Sequence, residues 1–181
     1  EPIPELTHTK TIADPSREVK KDTKDRIYKK FIDVTENEKG TPTSITFKND
    51  DKFNFAFDLV DALADREPEK LAMLHISEDK TERRFTFADM KKESARCANY
   101  FKALGIKKGD KVALCAKNSA EWCISFLAIV SYDAVAVPLL PDFLPNNVAD
   151  LTRLSGSKLL LLDRQIYDGL SRDGVLPLFE T

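Results

Sequence analysis

The chain has 181 residues, of which 42% are apolar and 32% are charged, a composition typical of a soluble globular protein with a real core. Its 28 basic and 30 acidic residues leave a net charge of −2, which gives no overall attraction to nucleic acid. No apolar run is long enough to span a membrane, and the N-terminal sequence EPIPELTHTK lacks the apolar core of a signal peptide. We therefore expect a cytoplasmic protein without a nucleic-acid partner.

The cysteines and histidines give no sign of a metal or redox site. Cys97, Cys115 and Cys123 lie in apolar segments at spacings that match no zinc or disulfide-exchange motif. Buried free thiols in a reducing compartment are the simplest interpretation. His8 and His75 have no second histidine or cysteine at ligand spacing, so we expect no metal.

Residues 1–50 are predicted to be an extension that carries a basic helix. Asp14 and Pro15 are typical of a helix start, and a sparse apolar stripe follows at Val19, Ile27, Phe31 and Val34. Between positions 17 and 30, seven basic residues stand against three acidic ones. Such a run is most often a solvated helix face, and the alternative is a weak peripheral contact with a membrane or an acidic partner. Residues 35–43 are then expected to be a linker, with Gly40 and Pro42 as breakers.

Residues 51–181 are predicted to form the main domain. A helix is expected to start in FNFAFD, residues 53–58, with its aromatic residues in the core, and to stop at Pro68. Its buried stripe is expected at Phe55, at Leu59 or Val60, and at Leu63. Residues 71–76 and 83–85 are predicted to be two strands around a polar turn, most simply a hairpin.

A well-delimited helix follows the hairpin. Thr86 is predicted to cap it, with Asp89 in its first turn, and Gly105 suits the left-handed residue that ends it.

Residues 109–143 are predicted to form a strand, a helix and a second strand. The unbroken apolar runs VALCA, residues 112–116, and VAVPLL, residues 135–140, are typical of strands covered on both faces. The helix between them is predicted to be capped by Asn118, with Glu121 returning a hydrogen bond, and Pro138 suggests that the far end of the second strand leaves the ladder. A helix over 145–155 and a strand over 158–163 complete an α/β fold with a mostly parallel sheet flanked by helices.

The carboxyl ends of parallel strands are where ligands bind in such sheets. Here those ends are 117–119, 141–143 and 163–164, although residues of these types are more often helix caps, turn residues or surface charges. The glycines fit neither phosphate-binding fingerprint, and the nucleophile elbow G-x-S-x-G is absent. From the residues alone this is an α/β domain without visible catalytic groups.

Four segments nevertheless suggest a family, and they occur in the same order and at similar spacing. They are RFTFADM at 84–90, ANYFKALGIKKGDKVA at 98–113, NSAEW at 118–122 and AVAVPL at 134–139. Together they resemble the N-terminal portion of AMP-forming acyl-CoA synthetases in the adenylate-forming superfamily, and FNFAFD is most similar to fatty acyl members. The resemblance covers roughly residues 53–163. Asp133 departs from it, because the family usually has a glycine there.

The resemblance implies the N-terminal subdomain of the acyl-CoA synthetase-like fold, and an enzyme that uses ATP, Mg²⁺ and coenzyme A to convert a carboxylic acid, fatty in this case, to a thioester. It implies that Asp142 and Phe143 lie on the coenzyme A side, with no catalytic or metal residue in this segment. The family's phosphate loop and catalytic lysine do not occur in these residues, so the implied partner is a C-terminal portion of the same chain. We expect the 181 residues alone to be inactive and to bind no cofactor.

A second hypothesis belongs to another class. Because fold does not determine function, the chain could also be a non-catalytic interaction module that reuses the α/β fold and docks through its basic helix.

Overall fold

A computed structural model describes residues 27–48 and 51–176 of the chain. The chain divides into two compact units, residues 1–48 and 49–181. The predicted start of the basic helix at Asp14 and Pro15 lies outside the described residues.

The described part of the first unit is a β-hairpin. A short 3₁₀ helix, Ile27–Lys30, leads into strand β1, Ile32–Glu36, which pairs antiparallel with β2, Pro42–Phe47. The side chain of Asn37 accepts hydrogen bonds from two backbone amides of the turn. The prediction of a helix through Val34 and a linker over 35–43 is therefore wrong. Phe31 and Val34 have the spacing of a helical stripe, but Ile32 and Val34 also have the alternation of a strand. The segment forms a strand because it pairs with β2.

The second unit opens with a helix, as predicted. A π-helix over Phe55–Asp61 continues directly as α1, Ala62–Arg66. Its buried residues are Ala56, Val60 and Ala64, so the buried stripe runs through small residues at every fourth position. The prediction of aromatic core residues is wrong, because the side chains of Phe53, Phe55 and Phe57 are 41%, 45% and 52% exposed.

The next two predicted features are confirmed. Strands β3, Leu71–Ile76, and β4, Glu82–Thr86, form an antiparallel hairpin, and helix α2 spans Phe87–Ala103. Its first turn is a capping box, in which Thr86 and Asp89 each accept a hydrogen bond from the other's backbone amide. Gly105 has a φ of 80° after the helix.

Three parallel strands form the central sheet in the order β6-β5-β7, as the α/β prediction requires. They are β5, Lys111–Cys115, β6, Val135–Leu139, and β7, Leu159–Leu162. Pro138 does not end the ladder, since it lies opposite Leu114 and the pairing continues to Leu139. Among the described residues β6 pairs only with β5, and such an edge position tolerates a proline that cannot donate.

Helices cover both faces of this sheet. Helices α2 and α3, Ala120–Ser131, pack on one face through Phe101, Val112 and Ile129. Helices α4, Pro145–Ser155, and α5, Arg164–Arg172, pack on the other through Val148 and Leu170. The connection from β5 to β6 runs over one face of the sheet and the connection from β6 to β7 runs over the other, so the helices lie on both faces.

One helix cap differs from the prediction, and one turn has an unusual backbone conformation. Helix α3 is capped by Ser119, whose side chain accepts from the backbone amide of Trp122, and not by Asn118. At the turn before β6, Asp133 adopts the left-handed region with a φ of 53°, where the family usually has glycine. Its carboxylate contacts Lys108 at 2.9 Å and the side-chain amide of Asn54 at 3.4 Å, and these contacts hold the turn.

Candidate functional site

The carboxyl edge of the sheet is a topological switch point. The loop after β5 leads to α3 on one face, and the loops after β6 and β7 lead to α4 and α5 on the other. Loops that diverge in this way leave a crevice beyond the strand ends, where α/β proteins bind ligands.

One carboxylate connects two of these loops. Asp163 follows β7 directly and accepts a hydrogen bond from the backbone amide of Ile166 at 2.8 Å, which caps α5. Its second oxygen accepts from the backbone amide of Lys117 at 3.1 Å, in the loop after β5. The loop that carries Lys117 is therefore held against the start of α5.

The loop after β6 contacts the end of strand β5. The buried thiol of Cys115, at the end of β5, lies 3.6 Å from the carbonyl oxygen of Leu140. Burial, and secondly the negative charge of Asp163, raises the pKa of Cys115 to about 11, so the thiol stays protonated and can act as a weak donor. The carbonyl of Leu140 also accepts from the amide of Phe143 at 3.2 Å, which closes a turn.

These loops border a cavity of about 310 Å³ that is open to solvent. Phe143 forms part of its wall and packs against the cluster that contains Val148 and Leu170. Its polar rim has one cationic, one anionic and one amide side chain: Lys117, Asp142 and Gln165. An apolar wall with a few polar groups is typical of a site for a small molecule.

The structure brings several predicted site residues together. Lys117, Pro141, Asp142 and Phe143 all line the cavity. Ser119 instead caps α3, and Arg164 pairs with Asp168 on the surface.

Sequence reasoning missed helix α5, which contributes Gln165 and Ile166 to the cavity. The signal for it is present in the sequence, because Asp163 is a good cap and Ile166 and Leu170 recur at helical spacing.

A larger cavity of about 690 Å³ lies elsewhere, between β4, α2 and α3. Its charged groups are largely neutralised by one another. Arg83 binds the carboxylate of Glu121, and this hydrogen bonding lowers the pKa of Glu121 to about 2. Arg96 likewise pairs with Glu93 at 3.3 Å. Because it lies away from the strand ends and its charges are paired, we regard the smaller cavity as the better candidate site.

The described residues offer no group of three histidine, cysteine, aspartate or glutamate side chains that could hold a metal ion. None of the helices over 27–48 and 51–176 is long and apolar enough to cross a membrane.

Comparison with known proteins identifies the class. The model of the AMP-binding enzyme family matches residues 60–177, which include the central sheet and all of the cavity residues. The chain belongs to the AMP-binding enzyme family.

Individual relatives are similar over shorter stretches. A long-chain-fatty-acid–CoA ligase, FadD13 of Mycobacterium tuberculosis, is 40% identical over 84 residues, which are 46% of this chain and 17% of the relative. A crotonobetaine/carnitine–CoA ligase of Escherichia fergusonii is 34% identical over 107 residues, 59% of this chain and 21% of the relative. The chain thus spans about a fifth of the length of these curated relatives.

A solved structure agrees in fold. The inhibitor-bound N-terminal domain of FACL13 from Mycobacterium tuberculosis superposes with a TM-score of 0.56 at 33% identity, over 64% of this chain and 29% of that chain. Its similarity supports the assignment of these residues to the N-terminal part of an acyl-CoA synthetase-like fold.

Proposed function

We propose that this chain supplies the N-terminal portion of an AMP-forming acid–thiol ligase, and that the acid is a fatty acid. The observation that carries the proposal is the family match over residues 60–177. The 40% identity to a relative named as a long-chain-fatty-acid–CoA ligase favours the fatty acid over other acids.

The proposed reaction has two steps. A carboxylate oxygen attacks the α-phosphorus of ATP and the bond to pyrophosphate breaks. The sulfur of coenzyme A, having lost its proton, then attacks the acyl carbon, and the bond to AMP breaks as the thioester forms. Both steps develop charge on phosphoryl or acyl oxygens, which calls for backbone amides and cations.

The part of this chain in that reaction is proposed to be on the coenzyme A side. Phe143 presents an aromatic side chain suited to stacking on a purine or to covering an apolar arm. The ammonium of Lys117 is suited to a phosphate, and Asp142 to an amino group or a hydroxyl. Held by Asp163, the Lys117 backbone would need little reordering when the ligand binds.

We propose that the described residues do not hold the nucleoside triphosphate or its metal. They contain no glycine-rich phosphate loop and no cluster of three metal ligands. We therefore assign no step of adenylation to these residues, and propose that they support the sheet beside which that chemistry occurs.

Pyrophosphate exchange into ATP tests the proposed activity. With the full polypeptide that contains these residues, we expect exchange that depends on an added fatty acid, and thioester formation when coenzyme A is added. A folded protein that shows no exchange with any of a broad set of carboxylic acids would refute the ligase proposal and leave the interaction-module hypothesis standing.

A variant tests the coenzyme A side separately. Phe143→Ala should raise the KM for coenzyme A by about tenfold, as expected for losing one buried aromatic contact, while the exchange reaction stays at the wild-type rate. Leu144→Ala is the matched control, because Leu144 is the next residue but is 69% exposed and does not line the cavity. An equal loss of exchange and thioester formation in Phe143→Ala would contradict this role.

A further inference from the structure

The hairpin of the first unit has one apolar and one polar face. In the register of β1 and β2, Ile32 lies opposite Phe47 and Val34 lies opposite Ile45. Because side chains alternate along a strand, these four residues share one face. The residues between them, Asp33, Thr35, Ser44 and Thr46, share the other face.

The apolar face is open to solvent. Phe47 is 68% exposed and Ile45 is 53% exposed, and each is paired with a partly buried apolar residue on β1. A two-stranded hairpin is marginally stable in water, and a contiguous exposed apolar surface of this kind usually marks an interaction site.

Positive charge is concentrated at the open end of the hairpin. Lys29 and Lys30 lie in the 3₁₀ helix before β1, together with Tyr28, which is exposed. Lys48 follows β2 directly after Phe47, but its ammonium is paired with the carboxylate of Asp33 at 2.6 Å, so among the described residues the cationic surface at this end consists of Lys29 and Lys30. The amide of Lys48 donates to the carbonyl of Phe31 at 2.7 Å, which brings the two strand ends together. The turn at the opposite end carries Glu36, Glu38 and Lys39, and so has a net charge of about −1.

The preceding sequence adds to this charge. Residues 17–30 contain seven basic and three acidic residues, although the chain as a whole has a net charge of −2. The last two of these basic residues, Lys29 and Lys30, lie at the end of the hairpin where Phe47 is exposed.

We propose that the apolar face of the hairpin and the basic residues at its open end form a docking surface for an anionic membrane. Aromatic rings at the level of the headgroups and lysines against lipid phosphates are the combination that such membranes bind. A second copy packed in parallel on the same face would bring two basic ends together, which charge repulsion disfavours, and an antiparallel second copy is distinguished by the test below. The proposal goes beyond the ligase function and does not depend on it.

Sedimentation with lipid vesicles tests the proposal. The full protein is mixed at low salt with vesicles of phosphatidylcholine alone, or of phosphatidylcholine with about a third phosphatidylserine. We expect at least about tenfold stronger binding to the anionic vesicles, and loss of most of it in about 0.5 M salt, where exposed charges are screened.

Substitutions then test each half of the surface. Phe47→Ser should weaken anionic-vesicle binding by about tenfold, the loss expected for one large apolar side chain. Lys29→Glu with Lys30→Glu should weaken it by at least about tenfold, since each lysine near an anionic surface contributes about fivefold. Phe57→Ser is the matched control in the second unit, because Phe57 is 52% exposed and should leave binding unchanged.

Several outcomes would overturn the proposal. Equal binding to both vesicle types, or wild-type binding by Phe47→Ser, would remove its basis. If Phe47→Ser instead converts a dimer to a monomer without affecting vesicle binding, the face belongs to a second copy. If it only lowers the melting temperature, the face is covered by another part of the same protein.

Discussion

The carboxylate of Asp163 accepts a hydrogen bond from the backbone amide of Lys117, 46 residues earlier in the chain, at 3.1 Å. The same carboxylate caps helix α5 through Ile166. One side chain thus joins the ends of two neighbouring strands and determines where the rim of the cavity lies. The arrangement is an example of a loop amide whose hydrogen bond is made by a side chain in place of regular structure.

Removing that side chain should destabilise the protein. Asp163→Ala is expected to lower the free energy of unfolding by about 1–2 kcal/mol, because a helix cap and a second hydrogen bond are lost together. Thermal or urea unfolding measures the change. Asp168→Ala is the control on the same helix, where only a surface ion pair with Arg164 is lost. An equal decrease in the free energy of unfolding in Asp168→Ala would show that the two hydrogen bonds to Asp163 contribute no more than a surface pair.

The turn at Asp133 gives a second prediction. Asp133→Ala should lower the free energy of unfolding by about 1–2 kcal/mol. Alanine is strained in the left-handed region and lacks the contacts that the carboxylate makes to Lys108 and Asn54. Asp133→Gly should stay within about 0.5 kcal/mol of wild type, because glycine adopts this conformation freely and offsets the lost contacts. Urea unfolding compares the three proteins. An alanine variant as stable as the wild type would mean that the turn relaxes.

The pair between Arg83 and Glu121 predicts a pH dependence. Hydrogen bonding from Arg83 lowers the pKa of Glu121 from 4.5 to about 2. Its stabilising contribution is therefore complete above pH 4.5 and is lost as the pH falls towards 2. Because the two side chains are 42% and 64% exposed, solvent screening should hold the contribution below about 1 kcal/mol.

Acid unfolding of Glu121→Gln measures this contribution. The variant should be less stable than the wild type at neutral pH, and the difference should close between pH 4.5 and about 2. A difference that persists unchanged to the acid end of that window would assign the effect to packing and not to charge.

Periodicity was sufficient to predict the central fold. The unbroken apolar runs of β5 and β7, and the marked ends of α2 at Thr86 and Gly105, all correspond to structure. The strand order β6-β5-β7 could not be read from the sequence, because each run is equally apolar on both faces.

The features that the sequence analysis predicted wrongly or did not find have local physical causes. Ile32 and Val34 alternate within a segment that also fits a helical stripe, so neither period excludes the other. Ser119 and Asn118 are both good caps, and only the backbone conformation distinguishes them. At the candidate site, Asp142 could be placed at a strand end from sequence, whereas Gln165 required knowledge that α5 folds back beside it.

The thiol of Cys115 provides the last prediction. Its pKa is raised from 9.0 to about 11, chiefly by burial and further by the charge of Asp163. A rise of two units lowers the thiolate fraction at pH 8 by about a hundredfold, and the thiolate is the form that reacts with alkylating reagents. In the folded protein Cys115 should therefore stay unmodified by iodoacetamide while it reacts fully in urea, as peptide mass spectrometry can measure. Cys97 and Cys123 are only partly buried and serve as internal controls that should react faster. Rapid modification of Cys115 without unfolding would mean that the loop after β6 opens readily, and that the cavity beside Phe143 is not preformed.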